Sequence, residues 1–94
     1  MRKAQAGTLE SNDIHITIAE AVPGSGVQID LTSIVLPQYG PAIKQVLLET
    51  AQHYGISDLV ISAADKGALS CTIEARLITA LTRAGILSEE EGLS

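Results

Sequence analysis

Two short runs of alternating residues constrain the fold more than any other feature of this sequence. Isoleucine occupies every second position from Ile14 to Ile18, and apolar and polar residues alternate again from Val27 to Leu31. A period of two that is rich in β-branched residues is typical of strands with one buried face. The segment between the runs, Pro23-Gly24-Ser25-Gly26, has turn composition. We therefore predict two strands that pair as an antiparallel hairpin.

The hydrophobic period changes from that of a strand to that of a helix after Pro41. Apolar residues recur at helical spacing from Ile43 to Tyr54. Pro41 suits the first turn of this helix, and Gly55 suits the position after its last turn. Leu59-Val60-Ile61 is a short apolar run typical of a buried strand, and Asp65-Lys66-Gly67 then predicts a turn or the entry to a helix.

A second apolar stripe, Leu69-Ile73-Leu77-Leu81, recurs every four residues and predicts a helix that ends at Gly85. Alternation through Cys71 also fits a strand over 68–73, and we favour the helix because the stripe persists to Leu81. The predicted order is β-β-α-β-α. This order indicates a small two-layer α+β domain with both helices packed on one face of a small sheet. If the second and third strands are parallel, the helix between them should form a right-handed crossover.

Composition predicts an aliphatic core in one small domain over 1–94. The 94 residues are 46% hydrophobic but only 2% aromatic, so Ile, Leu, Val and Ala must fill the interior. A chain of this length buries roughly 60–65% of its unfolded surface, which leaves no room for a deep cavity. Residues 1–7 are small or polar and are expected to be loose, and 88–94 are expected to form an acidic tail.

Charge and cysteine content argue against several classes of function. The formal net charge is −5 and Arg2-Lys3 is the only adjacent basic pair, so the clustered cations that bind nucleic acid are missing. No apolar run follows Arg2-Lys3 to make a signal peptide, and none approaches the ~20 residues of a membrane helix. Cys71 is the only cysteine, which fits a reducing cytoplasm. We expect it to be a small buried side chain.

The polar cluster Glu10-Ser11-Asn12-Asp13 is the segment that most suggests chemistry. Its ordinary interpretation is a turn, because Ser, Asn and Asp all stabilise turns. A serine hydroxyl on a loop is also accessible to a modifying enzyme, although it is a poor nucleophile without a base. Ser11, His15 and Asp13 could be written as a catalytic set, but so short a chain offers no evident pocket. His53 lies near a predicted helix end, and no residues have the spacing of metal ligands.

Four blocks of residues, in order along the chain, together resemble one known family. The blocks are Ala6-Gly7-Thr8-Leu9-Glu10-Ser11-Asn12-Asp13; Gln38-Tyr39-Gly40 with Ala42-Ile43; Asp65-Lys66-Gly67-Ala68-Leu69 with Cys71; and Glu74-Ala75-Arg76-Leu77 with Ala80-Leu81. Each block is short, but their order and spacing over nearly the whole chain resemble the citrate lyase acyl carrier protein, or gamma subunit, family.

The resemblance implies that Ser11 carries a covalent prosthetic group, 2'-(5''-phosphoribosyl)-3'-dephospho-CoA, through a phosphodiester. In that family the thiol of the group holds acetyl and then citryl. An alpha subunit (an acyl transferase) exchanges acetyl for citrate and releases acetate, and a beta subunit (a citryl lyase) forms oxaloacetate. A third partner, a transferase, attaches the group.

The implied protein is therefore a cytoplasmic carrier with no catalytic residue and no metal of its own. The acyl-bearing thiol would belong to the group on Ser11 and not to Cys71. Two alternatives stay open: the carrier subunit of malonate decarboxylase, with a similar prosthetic group, and a protein-binding adaptor without one.

Overall fold

A four-stranded sheet and two helices make up the computed structural model, which describes residues 1–34 and 38–88. The helices and strands, in chain order, are β1 (Lys3–Ala6), β2 (Ile14–Glu20), β3 (Val27–Ser33), α1 (Gly40–His53), β4 (Leu59–Asp65) and α2 (Ser70–Arg83). The predicted α+β class and the predicted order from β2 onwards are confirmed, with one further strand before them.

The predicted hairpin is wrong, because β4 lies between the two strands that were expected to pair. The sheet order is β1-β2-β4-β3, with β2 antiparallel and β3 parallel to β4. The loop over 21–26 crosses the end of β4, where the carboxylate of Asp58 accepts hydrogen bonds from the backbone N–H groups of Gly24 and Gly26, both at 2.9 Å. Alternation therefore identified which residues share a face, but not which strand is the neighbour.

The N-terminal residues form a strand, which corrects the expectation that 1–7 are loose. Lys3–Ala6 pairs antiparallel with β2, and the side chain of Ala6 is buried against the core. Arg2 forms a salt bridge with Glu20 at 2.8 Å and donates a hydrogen bond to the carbonyl of Gly85. These contacts fix a segment whose small, unbranched residues give no β-propensity signal.

The core lies between one face of the sheet and the two helices. Alternate residues of β2 and β4 point into it, and each helix contributes its apolar stripe. The fully buried large side chains are those of Ile14, Ile16, Ile18, Leu47, Leu59, Ile61, Ile73, Leu77, Leu81 and Asp65. The intervening side chains of Thr17, Val60 and Ser62 are exposed on the other face. The expected packing of both helices on one face is confirmed.

The segment over 68–73 enters a helix, as favoured, but two of its side chains are not in the core. Leu69 precedes the first turn of α2 and is 71% exposed, and Cys71 is exposed as well. The expected burial of Cys71 is therefore wrong, because the buried stripe begins only at Ile73. Gly85 takes a positive φ of 76° just after the helix, as predicted for a residue that ends one.

None of the helices within 1–34 and 38–88 is long and apolar enough to cross a membrane. Apart from Ser88, the acidic tail predicted over 88–94 lies outside the described residues.

We expect Gly7→Ala to destabilise the fold strongly. Gly7 has a φ of +91°, and an added methyl group would overlap the carbonyl oxygen of Ile14, which is backbone and cannot rotate away. The free energy of unfolding, measured by urea denaturation, should fall by roughly 3 kcal/mol or more. Gly24→Ala is the matched control, because Gly24 has the same φ but open space around it. It should lose only about 1–2 kcal/mol from backbone strain. Equal losses for the two variants would contradict this explanation.

Candidate functional site

Ser11 lies at the tip of a tight turn between β1 and β2. The N–H of Asp13 donates to the carbonyl of Glu10 at 3.2 Å, and Asn12 takes the left-handed conformation with a φ of 64°. Asn is one of the few side chains that tolerate this conformation. Ser11 is exposed, and no hydrogen bond holds its hydroxyl within the described residues. The turn therefore presents a free hydroxyl on a fixed backbone.

The carboxylate of Asp13 stabilises this turn by accepting hydrogen bonds. It accepts two hydrogen bonds from the guanidinium of Arg76 on α2, at 3.0 and 3.1 Å, so that the ion pair is bidentate. It also accepts from the hydroxyl of Thr8 and from the backbone N–H of Ile14, both at 2.7 Å. These donors, Arg76 first and then Thr8, hold the pKa of Asp13 well below its usual range.

Thr8 connects the two sides of the turn. Its hydroxyl donates to Asp13 and accepts from the N–H of Glu10 at 3.2 Å. Gly7 precedes it in close contact with the backbone of Ile14. The Gly-Thr-x-Glu-Ser-x-Asp pattern thus has a structural explanation, in which Gly7 allows the close approach and Thr8 and Asp13 fix the path of the chain around Ser11.

A second segment, the connection from β4 to α2, borders the turn on its other side. The backbone of Lys66 makes two hydrogen bonds to it at 2.8 Å, donating to the carbonyl of Asp13 and accepting from the N–H of Asn12. The connection is itself held by the buried carboxylate of Asp65, which accepts from the N–H groups of Gly67 and Ala68 at 3.1 and 3.0 Å. The hydroxyl of Ser33 also donates to Asp65, at 2.9 Å.

The structure does not assemble a catalytic set from Ser11, His15 and Asp13. The ring of His15 is 3.1 Å from the side-chain oxygen of Gln5, and the carboxylate of Asp13 is engaged by Arg76 and Thr8. His53 is exposed at the end of α1, where its ring lies edge-on to Tyr54. Within residues 1–34 and 38–88, no group of acidic, His or Cys side chains is placed to hold a metal ion.

The sequence predicted a turn or helix entry at Asp65 but no contact for Arg76. The sequence signal for a cation such as Arg76 is Asp13 itself, which directly precedes a predicted buried strand. A buried carboxylate requires a cation or several hydrogen-bond donors.

Cys71 is a free, exposed thiol on the first turn of α2. A groove of about 350 Å³ lies between the start of α1 and the 65–70 connection, and Cys71 is not among the residues that line it.

Comparison with known proteins shows the class to which this fold belongs, the acyl carrier proteins. Residues 1–84 match the family model described as the malonate decarboxylase delta subunit (MdcD). A solved structure of a Pseudomonas malonate decarboxylase hetero-tetramer in complex with malonate contains a chain of the same fold. The TM-score is 0.72 at 22% identity, covering 89% of this chain and 84% of that one.

Curated relatives are more similar to this chain in sequence than the Pseudomonas chain is. The citrate lyase acyl carrier protein of Streptococcus uberis is 48% identical over 89 residues, covering 95% of this chain and 86% of the relative. That of Lactiplantibacillus plantarum is 49% identical over 81 residues, covering 86% and 82%. The chain belongs to the citrate lyase acyl carrier protein family.

We expect Asp13→Asn to lower stability in a pH-dependent way. At pH 7 the loss of charged hydrogen bonds should reduce the free energy of unfolding by about 2 kcal/mol. Since the folded pKa of Asp13 lies below its unfolded value, its contribution is complete above the ordinary carboxyl pKa of about 3.9 and is lost as pH falls through the folded pKa. The difference between wild type and variant should therefore shrink below about pH 4.

Urea denaturation between pH 2 and pH 8 measures this difference. Asp30→Asn, at an exposed carboxylate on β3, is the control and should change the unfolding free energy by less than about 0.5 kcal/mol. A wild-type advantage over Asp13→Asn that is constant across the whole pH range would contradict the assigned role of the ion pair.

Proposed function

We propose that this chain is the acyl carrier subunit of a citrate lyase and that Ser11 carries its prosthetic group. The observation that carries the proposal is the exposed, unbonded hydroxyl of Ser11 on a turn fixed from both sides. The relatives of the same family, at 42–51% identity over most of the chain, support the assignment.

The residues around Ser11 fit a phosphodiester-linked group, here 2'-(5''-phosphoribosyl)-3'-dephospho-CoA. Esterification of the free hydroxyl breaks no hydrogen bond of the described structure and moves no buried side chain. Lys66, whose backbone is bonded to the turn, adds a cationic residue to the surroundings of the phosphate. When attached, the group supplies a thiol that carries acyl substituents as thioesters.

The chain's own contribution is position rather than catalysis. The turn holds the attachment oxygen on a rigid base, and a tether from that base converts encounters with two active sites into intramolecular events at high effective concentration. Cys71 cannot replace that tether although it is exposed, because a cysteine side chain on the first turn of a helix has no comparable reach.

The proposed partners are the alpha and beta subunits of citrate lyase and the transferase that attaches the group, all in the cytoplasm. Alpha exchanges acetyl for citrate with release of acetate, and beta forms oxaloacetate. The net charge of −5 favours docking to basic surfaces on these subunits, with Glu10 exposed beside Ser11.

A second candidate is the carrier subunit of a malonate decarboxylase. The family model and the solved Pseudomonas structure favour it, since both are named for that complex. The greater identity to citrate lyase carriers places it second. A protein-binding adaptor without a prosthetic group remains as an outcome of the experiments below.

We expect the intact mass of the chain, coexpressed with its modifying enzymes, to increase by that of the prosthetic group, and Ser11→Ala to abolish the increase. Ser25→Ala is a matched control at another exposed turn serine. Cys71→Ser should keep the adduct and should still accept acetyl. An adduct that persists on Ser11→Ala would contradict the attachment site, and no adduct on wild type would favour the adaptor.

We expect the modified chain to bind both citrate lyase subunits in pull-down experiments. Binding should weaken with rising salt because attraction between charged surfaces is screened. Malonate decarboxylase subunits serve as the competing partners. Recovery of those subunits in place of alpha and beta would transfer the assignment to the second candidate.

A further inference from the structure

The groove beside α1 lies close to the serine turn. Its volume is about 350 Å³, and its wall includes Gly67. A methyl group added to Gly67 would lie 3.6 Å from the side-chain oxygen of Asn12, the residue next to Ser11. The side chain of Asn12 therefore approaches the groove wall at Gly67, and a group fixed to Ser11 starts one residue away from this approach.

The chemistry of the groove suits a flat ring with apolar faces. Its walls are mainly apolar, lined by Tyr39, Ala42, Val46, Ala68, Leu69 and Ile73. Tyr39 is 57% exposed, so the face of an aromatic ring is available for stacking. Asp65 also lines the groove, but its buried carboxylate already accepts hydrogen bonds from Ser33, Gly67 and Ala68, so the apolar walls are what favour a ring.

Leu69 occupies its position against local preference. It is the N-cap residue of α2, with an extended backbone and no side-chain capping bond. Ser, Asp or Asn at an N-cap typically stabilises a helix by about 1 kcal/mol relative to residues that cannot cap it. A leucine that is 71% exposed there contributes neither to capping nor to the core. Such a local conflict is expected where a side chain serves a ligand.

Charge complementarity adds a second, independent argument. Lys66 is half-buried, its backbone is bonded to the serine turn, and within residues 1–34 and 38–88 it has no ion-pair partner. A phosphodiester on Ser11 would place a negative charge on the turn to which this cationic residue is bonded. The electrostatic attraction favours a path for the group along the 65–70 connection and toward the groove.

We propose that the adenine ring of the group on Ser11 rests in this groove. The inference depends on the proposed function, because it requires that group. Adenine is flat, apolar on its faces and carries an exocyclic amine. It also belongs to the nucleoside joined directly to the phosphoribosyl link, so it is the part of the group with stacking character that lies nearest the serine. The thiol-bearing end extends beyond it and stays free to reach the partner subunits.

The test is NMR spectroscopy of the modified, deacylated chain after intact mass has verified the adduct. We expect nuclear Overhauser effects from adenine H2 or H8 to the Leu69 methyl groups and the Tyr39 ring. Leu69→Asp should abolish them while keeping the fold, because aspartate is a favourable N-cap residue. Val22→Asp, at a valine that is 61% exposed on the β2–β3 loop, is the matched control and should keep them.

The possible failures are distinguishable. An adduct whose adenine protons show no contact with Leu69 or Tyr39, with amide shift changes confined to 9–13, would overturn the groove assignment and leave the carrier function intact. Contacts from the thiol-bearing end in place of adenine would overturn it as well. Absence of any adduct on Ser11 would overturn the proposed function and this inference together.

Discussion

The serine turn depends on the ion pair between Asp13 and Arg76. Asp13 directly precedes β2, and Arg76 lies on α2. The ion pair therefore joins the sheet layer to the helix layer close to Ser11. Its exposure is uneven, with 13% of the aspartate side chain and 39% of the arginine side chain accessible. The carboxylate is thus fully supplied with donors, while the guanidinium keeps contact with water and avoids the full desolvation penalty of a buried pair.

The sequence predicted the faces of the fold better than its connections. The isoleucine alternation in β2 and the helical stripe of α1 were correct because burial on one face imposes the period directly. The hairpin was wrong because β4 pairs with both strands along their full length, and alternation does not specify which strand is the neighbour. The strand at Lys3–Ala6 was missed because tertiary contacts, and not its own residues, hold it in place.

For the candidate site, the resemblance pointed to Ser11, which local chemistry alone did not single out. The residues Glu-Ser-Asn-Asp are typical of a turn, and only their occurrence together with the other three blocks of the resemblance indicated modification of the serine. The supporting contacts could not be predicted from sequence patterns, because Arg76 and Lys66 are distant from the serine turn in sequence and reach Asn12 and Asp13 only in the folded chain. The exposure of Cys71 was missed because a residue at the very start of a helix need not follow the buried stripe.

The place of β4 at the centre of the sheet determines when the serine turn gains its full set of contacts. During synthesis β1 and β2 emerge first and can pair with each other, whereas β2 and β3 meet their common neighbour only with residues 59–65. The contacts from Lys66 and Arg76 arrive later still. A nascent chain therefore displays Ser11 on a turn without the contacts that fix it, and these form only once most of the polypeptide has left the ribosome. An enzyme that recognises the turn by its shape would consequently act only on carriers that have already folded.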